Sequence, residues 1–183
     1  MSTTKKVSKT TQKFLALTKP EQRVVIAKDI IAQLDSKFIK AKRQTYVDLN
    51  LKSGTNEFLD VQANLDKVKN CTACAVGSMM ICITKFANTL NFHQLEEMSW
   101  DHDALKLLKK IFPPNQLKLI EYSFEGSDMY AKSLAENKMN VSSLTSVEKK
   151  KIDLFRKGVK GGAEGMLKKI MENVITNSGK FKP

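Results

Sequence analysis

Hydrophobic and polar positions are unevenly divided along this chain. From Cys71 to Thr84 the sequence reads CTACAVGSMMICIT, without a single charge, in a chain where 27% of residues are charged. An unbroken apolar run of that kind predicts a helix buried on every side, continuing through Lys85 and Phe86 to span 71–91 as a central post. At helical spacing, Cys71, Cys74, Ala75, Ser78 and Cys82 form a stripe of small side chains, and Met79, Met80, Ile83 and Phe86 bulge elsewhere. Such a stripe lets a neighbouring helix come close. Gly77 costs about 1 kcal/mol relative to Ala in a helix interior, so its presence points to a backbone or bulky side chain pressed against it. The uncharged run is shorter than the roughly 20 apolar residues needed to span a bilayer, so it reads as core.

The flanking segments are amphipathic. Thr18-Lys-Pro-Glu21 has the form of a capping box with proline in the first turn, followed by Val24, Ala27, Ile31, Leu34 and Phe38 at spacings of three and four. YVDLNL at 46–51 alternates, and KSGTN follows as a turn, predicting a small β element near 38–55. Phe58, Val61, Leu65 and Val68 predict a helix over 58–69. Beyond the central run, Leu105, Leu108, Ile111 and Phe112 mark an inward face with Lys106, Lys109 and Lys110 outward. Pro113-Pro114 ends that helix, and a second carries Leu117, Ile120 and Phe124 to a C-cap at Gly126. Residues 128–138 predict another helix. Thr145-Ser-Val-Glu148 opens a very basic one, and Leu167, Ile170, Val174 and Ile175 mark a last helix stopped at Ser178-Gly179. The expected fold is mainly α: residues 18–183 as one helical domain with a glycine-rich joint at 158–165, preceded by a flexible arm over 1–17. Lys5, Lys6, Lys9 and Lys13 stand in that arm among Ser and Thr without an acid.

Charge changes the picture more than composition does. The net charge of +12 draws the chain to polyanions, because each cation near a phosphate releases counterions without reading sequence. No apolar stretch follows the start, and three cysteines lack disulfide-like spacing, so the sequence predicts a cytoplasmic protein that is neither exported nor membrane-bound.

Few residues carry a recognisable chemistry. Cys71, Cys74, Cys82 and His93 have the letters of a zinc site, but Cys74 and Cys82 lie about 12 Å apart along a helix, and a zinc ligand sits about 2.3 Å from its metal. Buried structural thiols are therefore expected, with no metal and no cofactor. Asp101-His102-Asp103 reads as acids at a helix start, favoured by the macrodipole, before it reads as an acid/base cluster. Lys157 and Lys160 sit among glycines ahead of a helix, and Gly158-Val-Lys-Gly161 matches the GxxG of a KH loop; without strands behind it, the segment reads as a joint. Lys149, Lys150, Lys151, Arg156, Lys157 and Lys160 crowd one helix and this joint, and form the candidate surface for a partner or anion.

Four segments, EQRVVIAKDIIAQLD, NCTACAVGSMMICITKFAN, FPPNQLKLIEYSFEG and MENVITNSGKF, resemble a group of functionally uncharacterised proteins encoded by bacteriophages and prophages. The similarity covers most of 20–126 and the last helix, the CxxCAxG core being its most specific part. It implies a small intracellular protein made during infection or from a mobile element, and it carries over no catalytic or binding residue. The resulting expectation is a non-enzymatic accessory protein that binds a host or defence protein or nucleoprotein through its basic surface. The alternatives are direct binding of DNA or RNA, and an enzyme assembled from distant residues such as Cys71, Cys74, His93 or His102.

Overall fold

The computed structural model describes residues 8–48, 70–87, 103–126 and 144–183. Among them are helices α1 (Lys9–Ala16), α2 (Lys19–Asp35), α3 (Ala75–Ala87), α4 (Asp103–Ile111), α5 (Pro114–Glu125), α6 (Ser146–Arg156) and α7 (Gly162–Thr176). Three short strands, β1 (Ile39–Ala41), β2 (Val47–Asp48) and β3 (Cys71–Ala73), form one sheet in the order β1-β3-β2. The domain is mainly α, as the sequence predicts. The helices expected over 58–69 and 128–138, together with His93 and His102, lie outside the described residues.

Helix α3 is the post around which the rest is built. Every residue from Ala75 to Thr84 is buried, and α1, α2, α4 and α5 all pack against it. It begins later than expected, because Cys71–Ala73 is a strand and not a first helical turn. Cys71 pairs in parallel with Ile39 while Ala73 faces Val47 across an antiparallel ladder. The reason is physical: a strand paired on both edges and covered on both faces is as apolar as a buried helix, so hydrophobicity alone does not separate them.

Cys74 makes the transition from strand to helix. Its Sγ accepts the Gly77 N–H at 3.4 Å, the geometry of an N-cap side chain, while Ser78 Oγ donates back to the Cys74 carbonyl at 2.8 Å. Gly77 is where the sheet crosses the helix. A Cβ there would lie 1.7 Å from the Tyr46 carbonyl oxygen, so the backbone entering β2 is the element pressed against it.

Helix α2 starts with the expected box, Glu21 accepting the Thr18 N–H at 2.8 Å. Its buried positions are Gln22, Arg23, Ile26, Ala27, Ile30, Gln33 and Leu34, a wider and slightly rotated face than the one read from Val24 and Ile31, which are half-buried. The rotation follows from its neighbours, since α2 is clasped between α3 and α7. Lys9–Ala16, expected within a flexible arm, instead form α1, capped by Ser8 and anchored by Phe14. The Phe14 ring stacks on Phe86 at 5.0 Å, which gives a polar segment enough buried area to hold a helix. The C-terminus is fastened from the other side. Gln116 and Asn173 each grip one backbone residue in both directions, Gln116 at Phe181 and Asn173 at Lys182. Phe181 is thereby sealed in the core with its ring edge-on to Phe155 at 5.3 Å.

Candidate functional site

The basic surface is organised by α6. A second capping box fixes its start, with Glu148 accepting the Thr145 N–H at 2.8 Å. Those bonds, with Lys118 and Lys151 nearby, hold the Glu148 carboxyl below its ordinary range. The helix buries Ile152 and half-buries Glu148, Phe155 and Arg156, which turns this strip toward α5 and the C-terminal segment. Lys169 lies over the Phe155 ring at 4.6 Å and donates to the Phe155 carbonyl at 2.6 Å, tying α7 to the same strip.

The opposite face is left to solvent. Lys150 and Lys151 are exposed there, Lys157 and Lys160 are exposed just beyond the end of the helix, and among the described residues no salt bridge engages the four. Lys149 sits half-buried at the border. Two large apolar side chains share the exposed face, Val147 at 65% and Leu154 at 57% exposure.

Arg156 departs from the expected cluster. Its Nη1 donates to the Tyr122 carbonyl at 3.2 Å, and its guanidinium fills the space where a Cβ on Gly126 would stand, 2.2 Å away. It closes the C-terminus of α5, where carbonyls have no helical partner and favour a cation. Arg43 does the same from the β1–β2 connection, its Nε donating to the Phe124 carbonyl at 2.8 Å. The glycine joint is explained by a close approach at Gly165 and by left-handed backbone before it. A Cβ on Gly165 would lie 1.8 Å from the Lys160 carbonyl oxygen, and Gly158, Gly161 and Gly162 have φ of 73°, 84° and 61°. Lys160 therefore projects from a tight turn whose backbone is folded against the first turn of α7.

The cysteines are all sealed. Burial pushes the Cys71 thiol up to about 12, with the Asp48 charge adding to it, and burial raises Cys74 and Cys82 well above the ordinary thiol value. Gln33 Nε2 donates to Cys82 Sγ at 3.3 Å, and Asp29 receives both Gln33 and Lys85, so this thiol belongs to the α2–α3 contact. Among the described residues no three His, Cys, Asp or Glu side chains converge as metal ligands, and no helix is long and apolar enough to cross a membrane.

Two features were not read from the sequence. Glu121, one turn before Glu125 on α5, is 2% exposed, and neither of its carboxylate oxygens has a hydrogen-bond partner. Burial, reinforced by Glu125, pushes its carboxyl up to about 8, so it is protonated at neutral pH. The only signal available was its place beside Leu117 and Phe124 on the apolar face. The second feature is an open pocket of about 700 Å³ lined by Lys37, Ile39, Lys40, Asn70, Thr72 and Glu164. Two of these lining residues, Lys37 and Glu164, are paired at 2.8 Å.

Compared with protein-family models, curated proteins and solved structures, the chain matches none. The functional reading therefore rests on the residues themselves.

Proposed function

We propose that this chain is a binding protein without catalytic activity, which engages a protein or nucleoprotein of a host or its defences through the outward face of α6. The observation that carries the reading is the set of four exposed lysines, Lys150 and Lys151 on a helix whose other face is fixed in the core, Lys157 at its C-cap and Lys160 in the turn that follows. Like charges this dense repel one another, and an anionic partner relieves that repulsion. Among the described residues the reactive side chains support the same reading: the thiols and Glu121 are closed off from solvent, where no substrate approaches them. The resemblance to phage and prophage proteins supplies the setting of an accessory protein that modulates its partner.

The test is recovery of a partner from infected or expressing cells by wild type and by Lys150→Glu/Lys151→Glu/Lys157→Glu. Loss of the partner with an unchanged thermal midpoint is expected, because exposed charges contribute little to folding. Equal recovery by both proteins would contradict the proposal. Direct nucleic-acid binding is the second reading, favoured by the net charge of +12. It requires log affinity to fall linearly with log salt, with a shallower slope in the reversed variant.

A further inference from the structure

Val147 and Leu154 are the observation that the lysines do not explain. They lie seven residues apart, on one face about 10 Å apart along α6, and Lys150 and Lys151 fall between them in the same rank. The only other comparably exposed large apolar side chain among the described residues is Leu15, on α1. We infer that this face docks an acidic amphipathic helix of a partner protein, whose apolar residues cover Val147 and Leu154 while its carboxylates meet the intervening lysines. The inference rests on the binding role proposed above and specifies the chemistry of the partner.

Charge complementarity selects that occupant over three others. A nucleic-acid backbone satisfies the lysines but offers nothing to Val147 and Leu154, which it would leave in water. A second copy of the chain brings the same lysines and a like net charge of +12 against this face. An anionic membrane takes up helices through a continuous apolar face sunk into the headgroup boundary, whereas here cations interrupt the apolar rank. An amphipathic helix alternates apolar and acidic positions at the spacing of this face, so both kinds of side chain find a complement.

The probe is a library of randomised 16-residue peptides selected on the wild-type protein. Enriched peptides are then measured by fluorescence anisotropy, alongside a 20-base-pair DNA duplex and phosphatidylserine vesicles. Enrichment of acidic residues flanking apolar positions at i, i+3 or i+4, and i+7 is expected. Val147→Ser/Leu154→Ser should weaken those peptides by about tenfold or more, the scale of losing two buried apolar contacts, and leave any DNA binding as it was. Lys150→Glu/Lys151→Glu should weaken both. Both variants replace exposed side chains, so an unchanged thermal midpoint serves as the control for folding. If the enriched peptides lack that pattern, or bind Val147→Ser/Leu154→Ser as well as wild type, the inference is overturned while the basic-surface proposal stands. Loss of vesicle binding alone in that variant overturns it in favour of a membrane occupant. If Lys150→Glu/Lys151→Glu changes the binding of no probe, the basic-surface proposal itself fails.

Discussion

Gly77→Ala separates the structure from helix propensity by the sign of its effect. In an unencumbered helix interior the substitution stabilises by about 1 kcal/mol. Here the new Cβ would stand 1.7 Å from the Tyr46 carbonyl oxygen, 2.7 Å from the carbonyl carbon and 3.0 Å from Val47 Cγ2. Since atoms do not approach a Cβ closer than about 3.0 Å, the Tyr46 peptide has to retreat by more than 1 Å. That retreat pulls on the β2–β3 ladder at Val47 and Ala73 and on the Cys74 N–H, which donates to the Thr45 carbonyl at 2.6 Å. Overpacking with a backbone shift destabilises by about 1–3 kcal/mol or more, and the rigid acceptor places this site at the upper end. A net loss of about 3 kcal/mol is expected. In urea unfolding, with a slope of about 2 kcal/mol/M, the midpoint should fall by about 1.5 M. A midpoint that stays level or rises would refute the close crossing of β2 over α3.

Two further perturbations test the interior. Glu121 holds its proton in the folded state up to about pH 8, against an unfolded value of 4.5, so folding is favoured at low pH and its contribution is lost as pH rises from about 4.5 through 8. The full swing is on the order of 4–5 kcal/mol; Glu121→Gln should match wild type in stability near pH 5 and exceed it at pH 9, and parallel pH profiles would show the carboxyl to be solvated. The three buried thiols should resist a disulfide reagent such as DTNB in the native protein at pH 8 and all react after denaturation; rapid native reaction of any one of them would contradict its burial.

The parts of this fold that local chemistry dictates were legible in the sequence, and the parts that neighbours dictate were not. The capping boxes at Thr18/Glu21 and Thr145/Glu148, the Pro113-Pro114 break and the Gly126 cap all appear where the residues alone place them. So does the pressure on Gly77. Strand β3 was hidden because its apolar residues continue without a break into α3, and pairing partners 32 residues away chose the strand. The face of α2 was read a fraction of a turn off because its burial is set by both α3 and α7. Helix α1 is hidden in the sequence because only one large apolar residue, Phe14, is buried on it, beside the polar Thr11. In the candidate surface, sequence crowding identified the lysines but gave no means of telling that Arg156 turns inward to close α5, or that Val147 and Leu154 turn outward. Direction around a helix that packs on one side is decided by the partner helix.

The central claim is that the outward face of α6 is where a partner binds, and hydrogen–deuterium exchange of the protein with and without its recovered partner tests it most directly. The amides of residues 146–160 should slow in the complex while those of α3, already buried in the core, stay unchanged. Protection appearing instead around Lys37, Lys40 and Thr72, with 146–160 exchanging as in the free protein, would contradict the account and move the binding site to the pocket beside β1.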